Sequence, residues 1–66
     1  MQIIVNGENK DCSDQISVSE LLESLGVDKR YVAVEVNRSI VPRSQFSEKK
    51  LRENDSLEIV TFVGGG

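Results

Sequence analysis

The last ten residues, LEIVTFVGGG, constrain the chain more than any other stretch. Residues 57–63 are β-branched, apolar or aromatic apart from one charge, which is the composition of a strand lying inside a sheet. Order is then expected to stop. Gly64, Gly65 and Gly66 have no side chains to pack and the widest backbone freedom, so a folded domain of residues 1–63 is expected to end in a mobile tail of residues 64–66. Three extended residues reach about 10 Å, and a chain without Cβ atoms fits a channel too narrow for any other residue. The pattern points to the Gly66 carboxylate as the reacting group, with Gly64 and Gly65 threading it into a partner's active site. A merely frayed end or an expression scar is the alternative.

Sixty-six residues make one domain whose core is near the lower limit for folding without staples. A single cysteine forms no internal disulfide, and without histidine the usual zinc ligand sets are missing, so neither a metal site nor a bound cofactor is expected. The N-terminal MQIIV has no basic region, and no apolar run approaches the length that crosses a bilayer. A cytoplasmic protein with no membrane partner is expected. The net charge is −3, and the basic residues are scattered among acids, which argues against a nucleic-acid surface. The one local basic cluster, Lys49-Lys50-Leu51-Arg52, is bracketed by Glu48 and Glu53 and reads as a solvated face.

Along the chain, residues 2–5 read as a first strand. Asn6-Gly7 follows, the dipeptide that most favours a type I′ hairpin turn. Residues 8–13 are polar and short, an edge strand in which Cys12 reads as a small apolar side chain rather than a nucleophile, since no histidine is present to act as its base. Ser17 and Glu20 have the spacing of a capping box, and Ile16 and Leu21 that of a hydrophobic staple. A helix is predicted from Val18, with Val18, Leu21, Leu22 and Leu25 on one stripe and Gly26 as its stop. Residues 31–37 read as a half-buried strand with Val32, Val34 and Val36 on one face. Asn37-Arg38-Ser39 turns the chain into a short edge strand at Ile40-Val41, ended by Pro42. Residues 44–50 read as a loop or helical turn anchored by Phe46, Leu51 plugs the core, and Asn54-Asp55 turns into the final strand.

The order hairpin, helix, strand, short strand, last strand suits an α+β fold with a right-handed crossover over one helix and the first and last strands pairing parallel in the middle. That is the β-grasp (ubiquitin-like) arrangement, a mixed four- to five-stranded sheet wrapping one helix. Length, the Asn6-Gly7 hairpin, the short capped helix, Ile40-Val41-Pro42-Arg43 and the ending EIVTFVGGG together resemble the ThiS family of sulfur carriers in thiamine biosynthesis. One departure is Asn54-Asp55, where that family commonly has Gly-Asp. The resemblance implies a carrier that is a protein co-substrate rather than an enzyme. A ThiF-type adenylyltransferase joins the Gly66 carboxylate to AMP from ATP, a persulfide donor converts it to a thiocarboxylate, and a ThiG-type thiazole synthase takes the sulfur.

Docking is expected on the sheet face opposite the helix. If Leu57, Ile59 and Val63 point inward, Val60 and Phe62 point outward and Ile4 joins them; an exposed apolar patch of this kind marks an interface. Val60, Phe62 and Ile4 on this face, together with Val63 where the strand meets the tail, are the candidate partner-contacting residues, on a protein expected to be monomeric when free. Packing of these side chains beneath a loop is the alternative. Arg43 reads equally as solvated or as paired with a partner's acid. Two rival functions remain open at this stage. One is the same chemistry serving molybdopterin synthesis or tRNA thiolation; the other is a non-covalent ubiquitin-like binding module, for which a single tyrosine and scattered charge argue against RNA.

Overall fold

The computed structural model describes residues 1–62. Strand β1 (Gln2–Val5) and strand β2 (Glu8–Asp11) form an antiparallel hairpin with Val5 opposite Glu8. Asn6 and Gly7 have φ of +51° and +84°, the two left-handed residues of a type I′ turn. The chain then crosses through helix α1 (Val18–Ser24) to strand β3 (Val32–Val36), turns into strand β4 (Ser39–Val41), and returns through strand β5 (Ser56–Thr61). The sheet order is β2-β1-β5-β3-β4, with β1 and β5 parallel and the other pairs antiparallel. This is the expected β-grasp sheet, five strands around one helix, with the last strand in its centre.

Seven residues are too few for a helix to persist alone, so its ends and its buried face must hold it. At the N-terminus every orphan amide is satisfied. Glu20 N donates to Ser17 Oγ at 3.0 Å, Ser17 N donates to Glu20 Oε1 at 2.9 Å, and the next two amides reach the loop after β4, Val18 N to Lys49 O and Ser19 N to Phe46 O, both at 2.9 Å. The predicted capping box is thus present, and the loop supplies what side chains alone cannot. At the other end Gly26 has φ +73°, and Gly26 N and Val27 N bond back to Glu23 O and Leu22 O. The predicted stripe is the buried one: Val18, Leu21 and Leu22 are inaccessible and meet Ile3, Val34 and Leu57 from the sheet, while Leu25 is half-buried against the same core. Phe46 and Leu51 close the core from the loop, as their isolation among polar residues suggests.

Several boundaries differ from the sequence reading. β2 ends at Asp11, opposite Gln2, so Cys12 lies just beyond it, still tied by Cys12 N to Met1 O at 2.9 Å. β3 begins at Val32, because Asp28 accepts from Arg30 N at 2.9 Å and draws residues Lys29–Tyr31 into a 3-10 turn. β5 ends at Thr61. Beyond Pro42, residues Arg43–Gln45 form a second 3-10 turn, the helical turn expected near there. Arg43, also on that turn, makes no ion pair within 4 Å among the described residues.

Ser17→Ala removes the cap from a two-turn helix and should cost about 1 kcal/mol of stability, read as a lowered urea midpoint with an unchanged slope.

Candidate functional site

β5 carries the candidate site, and both its neighbours hold it with more than ladder bonds. On the β1 side, Ile4 N donates to Asp55 O and Asn6 N to Leu57 O, each at 2.9 Å. β1 has by then ended in its turn, but the Asn6 side chain continues the pairing. Ile59 N donates to Asn6 Oδ1 at 2.8 Å and Asn6 Nδ2 donates to Ile59 O at 3.2 Å, so a side-chain amide stands in for one more residue of strand. On the β3 side, Asn37 plays a similar part at the start of β5. Its N donates to Ser56 O at 2.7 Å, its Oδ1 accepts from Ser56 N at 3.0 Å, and its Nδ2 donates to Asp55 Oδ1 at 3.0 Å. Asn6 and Asn37 both have φ +51°, which asparagine tolerates better than other residues bearing a Cβ. The far end of the strand is tied by Phe62 N donating to Tyr31 O at 2.7 Å.

The turn that carries Tyr31 is itself held by charge. The Arg30 guanidinium grips Asp28 through Nε at 3.1 Å and Nη2 at 2.9 Å, and lies 5.3 Å from the centre of the Tyr31 ring. Hydrogen bonds from the Arg30 side chain and backbone lower the Asp28 pKa to about 2. Bonds from Ser17 likewise lower Glu20 below its usual value. Burial pushes the Cys12 thiol up, so it stays protonated and packs as an apolar group.

Alternation along β5 sends Leu57 and Ile59 to the core, where Leu57 is fully buried. Val60 and Phe62 face the other way and are 55% and 51% exposed, as predicted for the open face. Ala33 stands opposite Val60, and Glu35 opposite Glu58. Ile4 shares the open face, but its register sets it opposite Ser56, four residues of β5 or roughly 13 Å from Val60, so the two do not form one patch. Ile40, which sequence reasoning passed over, projects on this face beside Glu35 and is 76% exposed. The signal was available in its place on an edge strand one residue before buried Val41. Val63, Gly64, Gly65 and Gly66 lie outside the described residues. A depression at the hairpin is lined by Val5, Glu8, Lys10, Leu25, Ile59 and Thr61, among others. Among the described residues no cluster of ligating side chains could hold a metal, and no helix is long and apolar enough to cross a membrane.

Comparison with known proteins decides the family. The pattern that defines the ThiS family matches residues 3–66. The chain belongs to the ThiS family. It is 32% identical over 66 residues to the sulfur carrier protein ThiS of Escherichia coli, the match covering all of both chains. The crystal structure of the thiamine biosynthesis protein ThiS from Geobacter metallireducens superposes with a TM-score of 0.85 at 33% identity over the whole of both chains. The chain is also 47% identical over 66 residues to a thiazole synthase of Paramagnetospirillum magneticum, of whose length it spans 20%. The five-stranded sheet with its single helix is therefore shared with a solved member of the family.

Asn6→Gly keeps the left-handed turn and removes only the side-chain bonds to Ile59. It should cost about 1 kcal/mol and speed hydrogen exchange at the Ile59 amide relative to that of Leu57. The Asp28 carboxylate, whose pKa is lowered on folding, contributes its stability above pH about 4, and that contribution is lost as the pH falls toward 2. Arg30→Gln should return the Asp28 titration, followed by NMR, toward the 3.8 of an unperturbed aspartate.

Proposed function

We propose that this protein carries sulfur for the formation of thiazole in thiamine biosynthesis, as a protein co-substrate of other enzymes rather than as a catalyst. The observation that carries the reading is family membership over residues 3–66, a match that includes the glycine ending. Carboxylates are poor electrophiles because their charge is delocalised and oxide is a poor leaving group. A carboxylate at Gly66 must therefore be activated, and the described residues offer no set of groups able to do so. In the reaction proposed, the Gly66 carboxylate attacks ATP on an adenylyltransferase and pyrophosphate leaves. The terminal sulfur of a persulfide then attacks the acyl adenylate and AMP leaves; a thiol cleaves the resulting acyl disulfide, itself ending in a disulfide with the donor's sulfur, and a thiocarboxylate remains at Gly66. Thiazole synthase is the proposed consumer. That a stretch 47% identical to this chain makes up 20% of a protein named thiazole synthase supports pairing the two.

Within this scheme residues 1–63 are the handle, and Gly64 and Gly65 thread Gly66 into the partner. Val60 and Phe62 are proposed to dock on the adenylyltransferase, with Val63 continuing the contact and Ile4 lying at its margin. Their exposure supports this, since apolar side chains on an open sheet face lose less by meeting a partner than by meeting water. A body that buries its helix and presents the opposite face can dock without unfolding any part of itself.

The reading requires a free carboxylate on Gly66, and one experiment tests it directly. Incubated with ATP and the adenylyltransferase, the intact protein should gain the mass of an adenylyl group, and with a persulfide donor and a thiol reductant it should exchange one oxygen for sulfur. One residue added after Gly66 should abolish both changes and leave the melting curve untouched. An unchanged mass in the parent protein would overturn the assignment. Phe62→Asp should fold normally and raise the KM for carrier in adenylation about tenfold or more.

A further inference from the structure

The open face of the sheet carries an arrangement that folding alone does not explain. Glu35 on β3 stands directly opposite Glu58 on β5, in the middle of the face. The bonds from Asn37 N to Ser56 O and from Phe62 N to Tyr31 O fix the phase of the ladder, which makes this a hydrogen-bonded pair with Cα atoms roughly 5.5 Å apart. Like charges placed so oppose pairing, whereas two threonines or an acid and a base would favour it. Neither carboxylate has a cation within 4 Å among the described residues; Arg38 borders the same shallow depression without forming an ion pair. Exposed apolar side chains flank the pair: Val60 two residues along β5 toward the tail, and Ile40 directly across from Glu35 on β4.

We propose that this face is built for a partner that presents an apolar surface with a basic side chain, by preference arginine, seated between Glu35 and Glu58. The proposal rests on the reading that the face docks the adenylyltransferase and adds the chemistry of that contact. Arginine suits the geometry because its planar guanidinium can donate to both carboxylates at once. Val60, Phe62 and Ile40 would exclude water around the contact, and the lower local dielectric strengthens it. A second copy of this chain is disfavoured as the occupant: a two-fold contact would bring four carboxylates together. Nucleic acid is repelled for the same reason. The pair thus disfavours wrong partners and steers the right one, at the expense of stability in the free protein.

The test measures the KM for carrier in ATP–pyrophosphate exchange by the adenylyltransferase, together with thermal melting, for E35K/E58K, E35Q/E58Q and F62D. The double lysine variant should raise KM by about tenfold or more with kcat at saturating carrier unchanged. The double glutamine variant should raise KM by about threefold while melting at a higher temperature than the parent, so that weakened binding cannot be laid to misfolding. Added salt should raise the KM of the parent more than that of E35Q/E58Q. KM values within about twofold of the parent for both charge variants would overturn the proposal. If F62D remained impaired in that case, the docking face would stand without its acidic centre; if F62D also matched the parent, the docking face itself would fall. A lowered melting temperature for E35Q/E58Q would remove the premise that the pair is unfavourable in the free protein.

Discussion

Everything in this fold is arranged around the double pairing of one strand. β5 lies between a parallel neighbour and an antiparallel one, so from Ser56 to Ile59 its backbone is held from both sides, and its core face is covered by the helix. Parallel pairing between the first and last strands brings together residues more than fifty positions apart, and that closure holds the domain as one unit. Two asparagines finish the work from the two tight turns. Each sits at a left-handed position that its turn requires, and each uses the same side chain to bind the backbone of β5, Asn6 at Ile59 and Asn37 at Ser56. A turn residue selected for its backbone conformation thereby serves also as a strand partner.

The consequence for function is mechanical. The segment that leads to the glycines leaves from an interior strand of the sheet, not from an edge. In the function proposed above, a partner that grips the body by its open face would receive the end of β5 in a defined direction. The charge-held turn at Asp28 and Arg30 extends this control one step further, because its Tyr31 carbonyl receives the amide of Phe62. The two faces of the sheet divide the labour: one stabilises the fold by burying valines and leucines, and the other leaves Val60, Phe62 and Ile40 in water.

Much of this was legible in the residues. Asn6-Gly7 announces its hairpin, since few other dipeptides adopt two positive φ angles without strain, and Ser17 with Glu20 announces the helix start for reasons of reach alone. The second tight turn is less open to reading. Arg38 has φ +71°, a conformation that nothing about arginine favours, and it is held there because β3 and β4 must pair across two residues. The 3-10 turn at Lys29–Tyr31 was missed because an Asp two residues before an Arg is common in loops, and only the docking of β3 beside β5 gives the turn something to brace. Ile4 was grouped with Val60 by alternation, which fixes the face of a residue but not its distance along the sheet.

Local chemistry along the chain was enough to determine the strands and the helix, the helix cap and the stripe the helix buries, because each follows from preferences acting over a few residues. Family membership followed from the same information. Partnership between distant residues was left to the tertiary structure: that Glu35 faces Glu58, that Asn6 reaches Ile59, and that the carbonyls of Phe46 and Lys49 satisfy the first turn of the helix. Strand register and loop placement settle such pairings, and both minimise free energy over the whole sheet and core at once, so no short stretch of sequence contains them.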